Sequence, residues 1–159
     1  MSIETSAGCP FCAPDMCEIV FLASPEFQAF STIAPILPGH VLVAPKRHVM
    51  KITDLSDYEA SAIMLFSRRL LRLLGAAFKT SDFNWVIQAG EAAGQTVSHL
   101  HLHLIPRKQG DLPNPGDWYP RLKTMGDGVV DSEHRQRLER DEMCRIADHL
   151  RQIGNRMRV

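Results

Sequence analysis

A chain of 159 residues is long enough to bury a core without covalent staples, and its length suits one domain. Its 18 basic and 18 acidic side chains cancel, and 45% of its residues are hydrophobic against 23% charged. That balance excludes global disorder and argues against a surface dedicated to nucleic acid or anionic membrane. Seven histidines stand out, three of them at alternate positions in the run 99–103.

The start, MSIETSAGCPFCAPDM, has no basic residues followed by an apolar stretch, so no signal peptide is expected. No run nears the roughly 18 apolar residues of a membrane helix. A cytoplasmic location is the expectation. The four cysteines are Cys9, Cys12, Cys17 and Cys144. In such a compartment the C-x-x-C pair reads as metal-binding or redox-active more readily than as a disulfide frame.

In chain order, 18–22 (EIVFL) and 27–33 (FQAFSTI) are β-prone runs separated by Ser24-Pro25. Pro35 and Pro38-Gly39 precede an apolar strand over His40–Ala44. Ser56 and Glu59 form a capping box that opens a helix running to about Phe78. Ile63, Phe66, Leu70, Leu73, Leu74 and Ala77 recur along it at helical spacing. Residues 83–89 predict a strand, Gly90–Gln95 a turn, and Val97–Ile105 another strand. Residues 106–131 carry four prolines and four glycines and predict a long loop. From Ser132 to about 156 the pattern Met143, Ile146, Ala147, Leu150, Ile153 predicts an amphipathic helix. Its arginines (135, 137, 140, 145 and 151) alternate with acids and read as a solvated face. The fold class is α+β, with mostly antiparallel strands in a single domain spanning 1–159.

On a strand, His99, His101 and His103 would share one face and Leu100, Leu102 and Leu104 the other. Leucines face a core, so the imidazoles face something polar. Two strand rises separate neighbouring histidines by roughly 6.5–7 Å, close enough for two rings to meet one phosphate-sized group. A neutral imidazole is a nucleophile near neutral pH, and a ring N–H donates to phosphate oxygens. A metal held by all three rings, or a half-exposed strand with incidental histidines, is also open. Cys9-Pro10-Phe11-Cys12 has the spacing of a zinc knuckle but supplies only two ligands. A thioredoxin-like role wants a preceding strand, and none is expected there.

His-Leu-His-Leu-His-Leu-Ile (99–105) resembles the signature of the histidine triad (HIT) family of nucleotide hydrolases and transferases. Glu91–Val97 and Ile105–Asp111 resemble its fragile histidine triad branch, which acts on dinucleoside polyphosphates. Leu37–Pro45 resembles the family's other recurrent segment. The likeness covers about 8–112 and implies an antiparallel sheet of about five strands, one main helix and a C-terminal helix. It also implies a two-fold homodimer acting on a nucleotide, without membrane, nucleic-acid or organic-cofactor partners.

The resemblance assigns residues as well. It makes His101 the nucleophile that takes the nucleotide from the α-phosphorus, with His103 on the phosphate oxygens. Gln95 and His40 support the chemistry, and Gln88, Thr96 and Gly94 lie where phosphate-binding groups lie. Phe11 and Phe30 match a base slot. Thr32 stands where the family has a ribose-binding acid or amide, so its hold on the sugar is weaker. Zinc-bearing family members use two N-terminal cysteines with two histidines, here Cys9, Cys12, His48 and His99, which would make a closed structural zinc site. His103, where family transferases carry glutamine, favours transfer to water and release of a nucleoside monophosphate. A dinucleoside polyphosphate phosphorylase and a nucleotide-binding regulatory module are the alternatives. His134, His149 and Trp118-Tyr119 are left without an assigned role.

Overall fold

Cys9 and Cys12 are the two ends of one hydrogen-bonded turn in the computed structural model, which describes residues 8–118 and 136–158. The Cys12 N–H donates to the Cys9 carbonyl at 3.1 Å, with Pro10 in the first turn position. A helical turn α1 (Met16–Ile19) follows, then strands β1 (Val20–Ala23), β2 (Phe27–Ser31) and β3 (Val41–Pro45). Next come helix α2 (Asp57–Phe78), strands β4 (Asp82–Ile87) and β5 (Leu102–Arg107), and helix α3 (Arg140–Met157). All five strands pair antiparallel in the order β1-β2-β3-β5-β4. The architecture is the α+β sheet with one main and one C-terminal helix that the resemblance implies.

The capping box forms as its spacing predicts. Ser56 Oγ accepts the Glu59 N–H at 3.2 Å, and the Ser56 N–H donates to the Glu59 carboxylate at 2.8 Å. Ile63, Phe66, Leu70, Leu73 and Leu74 of α2 and Ala147 and Leu150 of α3 then bury against Ala29, Val41, Val43, Leu102 and Leu104. Each large aliphatic side chain buried there contributes roughly 1.5–3 kcal/mol. Because Leu102 and Leu104 point into this layer, His103 and Ile105 point out of the other side of the sheet. There Phe30, Leu42 and His103 fall in one row across β2, β3 and β5. Met16 and Ile19 of α1 pack beside that row against Phe30, Leu42 and Ala44.

Several predicted boundaries move, each for a local reason. The first strand starts at Val20, not at Glu18. The Arg151 guanidinium gathers the carbonyls of Cys17, Glu18 and Val20 at 3.2, 2.8 and 2.6 Å, holding residues 16–19 in a helical turn. Arg151 is therefore a tether and not part of a solvated face; Arg140 likewise pairs with Glu18 at 3.0 Å. The strand predicted over 27–33 stops at Ser31, where Thr32 Oγ1 accepts the Ala34 N–H at 3.4 Å and turns the chain. The strand predicted from Val97 starts at Leu102. Upstream, Leu100 N–H donates to Val49 and His99 N–H to Val97, outside the sheet. Pro106 and Arg107, predicted as loop, finish β5. The C-terminal helix begins at Arg140, with Glu139 extended before it and 132–135 outside the described residues. Tyr119, His134 and the loop from 119 to 131 also lie outside them.

Gly39 sets the entry to β3. Its φ is +84°, which favours glycine, and a Cβ there would sit 2.7 Å from the Phe78 ring and push that ring aside. The turn it makes delivers His40 to the sheet face that carries His103.

Candidate active site and metal centre

Three histidines in one run meet three environments. His99 is fully buried, while His101 and His103 keep 4% and 8% of their surface exposed. His99 lies off the strand and is pulled toward the N-terminal turn. Its Nε2–H donates to the Pro45 carbonyl at 2.9 Å, which leaves the Nδ1 lone pair facing the cysteines. Cys9 Sγ lies 3.3 Å and Cys12 Sγ 3.5 Å from that Nδ1, and His48 Nδ1 lies 3.5 Å from Cys12 Sγ. Donors about 2.3 Å and 2.0 Å from one tetrahedral ion stand about 3.5 Å apart, so the set has the dimensions of a Cys₂His₂ zinc site. The four ligand atoms all lie within 4.8 Å of one another. Burial, with Cys9 beside it, pushes the Cys12 thiol up to about 11. Burial also pushes the His99 ring down to about 4, with the Pro45 bond opposing it and His48 and His101 adding to it. A divalent cation is the partner that would let the Cys12 thiol ionise, and a ring already neutral is the form that ligates one.

His101 has the opposite tautomer. Its Nδ1 lies 2.8 Å from the His99 carbonyl, and since a carbonyl only accepts, Nδ1 carries the proton. The lone pair is therefore on Nε2. Burial pushes this ring below the ordinary histidine value, and the bond to the His99 carbonyl offsets part of that. The neutral form is thus the resting one near pH 7.

The third histidine is set through a fourth. Ile36 N–H donates to His40 Nδ1 at 3.2 Å, so His40 carries its proton on Nε2. That Nε2 is 3.0 Å from His103 Nδ1 and donates to it, which puts the His103 proton on Nε2. The rings of His101 and His103 stand edge to face with centroids 4.9 Å apart. One presents a lone pair and the other an N–H beside it.

The 88–96 turn follows β4, whose Val86 pairs with His103 in the sheet. Gly94, at φ +87°, lies so close to Gln88 that a Cβ would meet its Nε2 at 2.6 Å, and Gln88 is buried beneath it. Gln95 is spent on the turn itself: its Oε1 accepts the Gly90 N–H at 2.7 Å, and its Nε2 donates to Met50 and Val97 at 3.1 Å each. Thr96 is exposed. At the other side Phe11 stacks on Phe30 at 5.1 Å and meets His101 edge-on at 5.3 Å. Thr32 is half-buried next to β3, its N–H donating to His40 O at 3.5 Å.

The structure thus gathers Phe11, Phe30, His40, His101 and His103 on one face of the sheet and the four metal candidates next to them. Sequence reasoning missed the Pro45 carbonyl, the Ile36 N–H and the Met50 carbonyl, backbone groups that no residue type announces. It also missed Arg107, which holds Asp111 at 2.8 Å, Asn84 at 2.5 Å and the Pro115 carbonyl at 2.9 Å. The spacing R-x-x-x-D was the available signal. This latch returns the chain to the sheet, where Trp118 packs against the Ile36–Ile105 cluster.

Comparison with known proteins adds the following. The family model described as HIT domain matches residues 14–110. A bis(5'-adenosyl)-triphosphatase of Dictyostelium discoideum is 39% identical over 106 residues, 67% of this chain and 70% of that protein. A bifunctional bis(5'-adenosyl)-triphosphatase/adenylylsulfatase of Arabidopsis thaliana is 37% identical over 123 residues, 77% of this chain and 66% of that protein. The chain therefore spans about two thirds of these relatives' lengths. A Zn-bound histidine triad family protein from Mycobacterium smegmatis superposes with a TM-score of 0.68 at 27% identity, covering 96% of this chain and 97% of that one.

Proposed function

The chain belongs to the HIT domain family, and from that premise we propose that it hydrolyses a nucleoside polyphosphate or nucleotidyl conjugate at the α-phosphate. The observation that carries this reading is the pair of opposite tautomers on neighbouring rings. His101 Nε2, its lone pair fixed by the His99 carbonyl, attacks the α-phosphorus in line. The bond from phosphorus to the bridging oxygen or nitrogen breaks, and the departing phosphate or nucleotide takes the electron pair. His103 Nε2–H, fixed through His40, donates to a phosphate oxygen where charge builds. Water then attacks the phosphorus of the nucleotidyl-His101, the N–P bond breaks, and a nucleoside monophosphate leaves.

Phe11 and Phe30 form the apolar wall for the base, with Thr32 toward the ribose. Gln88 and Gly94 shape the turn that faces the phosphates, and Gln95 holds that turn in place; Thr96 stands at its open side. Cys9, Cys12, His48 and His99 hold zinc, which, when bound, supplies a structural tie and leaves no position for catalysis. Ionised cysteines at such a site belong in a reducing compartment such as the cytoplasm. No described helix is long and apolar enough to cross a membrane. The reading treats 1–159 as one domain and the active form as a homodimer. In support, β4 ends the sheet and carries Trp85 with 38% of its surface exposed.

Incubation with a dinucleoside triphosphate and quenched-flow mass spectrometry tests the reading. The expected result is nucleoside monophosphate release and a nucleotidyl adduct on the peptide containing His101. Nucleotide binding with no release under any phosphate condition would leave a binding module instead. Release of a nucleoside diphosphate only in the presence of inorganic phosphate would make it a phosphorylase.

A further inference from the structure

The metal ligands and His101 share two mechanical links. The first is the His99 carbonyl, which accepts the His101 Nδ1–H at 2.8 Å while the His99 ring is gripped at both nitrogens, by Pro45 and by the cysteines. The second is Phe11. It sits between Cys9 and Cys12 in the turn that presents both sulfurs, and its ring lies 5.3 Å from His101 and 5.7 Å from His99. Whatever fixes the two sulfurs also fixes a wall of the nucleophile's pocket.

We propose that the Cys9–Cys12 clamp positions His101, and that oxidation of the pair by hydrogen peroxide releases the metal and unseats the ring. The loss of turnover rests on the hydrolase reading; the change at His101 does not.

The chemistry is open to this pair. As the first and last residues of a hydrogen-bonded four-residue turn, Cys9 and Cys12 have Cα atoms within about 7 Å, close to the upper limit for a disulfide. Both sulfurs lie within 3.5 Å of one nitrogen, His99 Nδ1. One thiolate attacks the peroxide, its O–O bond breaks, and a sulfenic acid forms with release of hydroxide. The second thiolate attacks that sulfur, the S–S bond forms and a second hydroxide leaves. The two sulfurs supply two electrons, and the peroxide, with two protons, ends as two waters. The disulfide removes two of four ligands, and His48 with His99 alone cannot hold zinc at a structural site's affinity. His99 then loses its grip on one nitrogen, and Phe11 loses the anchors on either side of it.

The test uses the zinc-loaded chain carrying Cys17→Ser and Cys144→Ser, which leaves only the clamp thiols. One equivalent of hydrogen peroxide should release one zinc per chain and lower the mass by about 2 Da. The His101 Nδ1–H proton resonance should disappear, and kcat/KM should fall by about tenfold or more. Reductant with zinc should restore all of these. A chelator under reducing conditions should reproduce the spectral and kinetic losses without the mass change. Phe11→Ala should keep its zinc yet lower kcat as well as raise KM. Zinc loss with an unchanged His101 resonance overturns the proposal, as does a Phe11→Ala chain in which only KM moves. Loss of the dispersed core methyl signals on oxidation would also overturn it, because the metal would then hold the whole fold and not the ring. In a chain without hydrolytic activity, the His101 resonance alone decides.

Discussion

His99 and His101 are two residues apart, both buried and both bonded to a backbone carbonyl, yet they face opposite chemistry. The Pro45 carbonyl takes the Nε2 proton of His99 and leaves Nδ1 for a metal. The His99 carbonyl takes the Nδ1 proton of His101 and leaves Nε2 for an electrophile. Residue type supplies an imidazole; the position of one oxygen decides which nitrogen reacts. With the roles proposed above, the gradient of exposure along the run follows, since a structural ligand can be sealed but a nucleophile must be reached.

The largest expected break in this comparison is His101→Ala. It should reduce turnover by about a thousandfold or more while zinc content stays at the wild-type level, measured by nucleotide release and elemental analysis. His48→Ala should do the reverse in first effect, emptying the metal site and costing turnover only the roughly tenfold that unseating the His101 ring brings.

His103→Ala should cost less, about a hundredfold in kcat, because it removes one donor to the phosphate and no covalent step. His40→Ala should approach it, since without the Nε2–H of His40 the His103 ring is free to carry its proton on Nδ1 and present no donor. The readout is the ratio of kcat effects in the two single variants and the double variant. Near-additive losses would separate two residues that the hydrogen bond at 3.0 Å makes a unit.

The pH profile sharpens the contrast further. His101 must be neutral to attack, and burial lowers its proton affinity below the ordinary 6.5. The acid limb of kcat/KM should therefore lie below pH 6.5 and not at it. A limb at or above 6.5 would mean that the titrating group is another one.

The smallest effect lies away from both regions. Glu59, paired with Arg47 at 2.6 Å, is held down to about 2 first by that partner and then by the Ser56 N–H. A carboxylate depressed in the folded state stabilises at pH values above its unfolded value, and the contribution fades as pH falls from 4.5 toward 2. Because half of Arg47 is exposed, Glu59→Gln should cost only about 1 kcal/mol at pH 7, read by urea unfolding. The cost should shrink toward zero in that acidic window. Turnover should not change.

Much of the fold is legible in the sequence. Ser56–Glu59 and the apolar spacing behind it gave α2 because capping and amphipathicity are local signals. The alternation holds within β5, where Leu102 and Leu104 face the core and His103 the other side; upstream His99 is drawn toward the cysteines and Leu100 bonds to Val49. The turn at Met16–Ile19 was hidden because its hold is Arg151, more than a hundred residues away in sequence. Gln95 reads as a group supporting the chemistry; that its three bonds go to backbone groups at Met50, Gly90 and Val97, one of them 45 residues distant, is not legible in the spacing. Long-range partners of this kind leave no trace in spacing.

The order of synthesis gives the metal clamp one more consequence. Its two sulfurs are made at positions 9 and 12, but the ligand that closes the site is His99, 90 residues later. At roughly 5–20 residues per second the thiols spend several seconds on a nascent chain with no fourth partner. β5 must also insert between β3 and β4 before His99 is in place, a late, long-range step in any folding route. For that interval the cysteines depend on cellular reductants and on whatever transiently shields them. Yield on expression should therefore follow the reducing power of the host more closely than the supply of zinc.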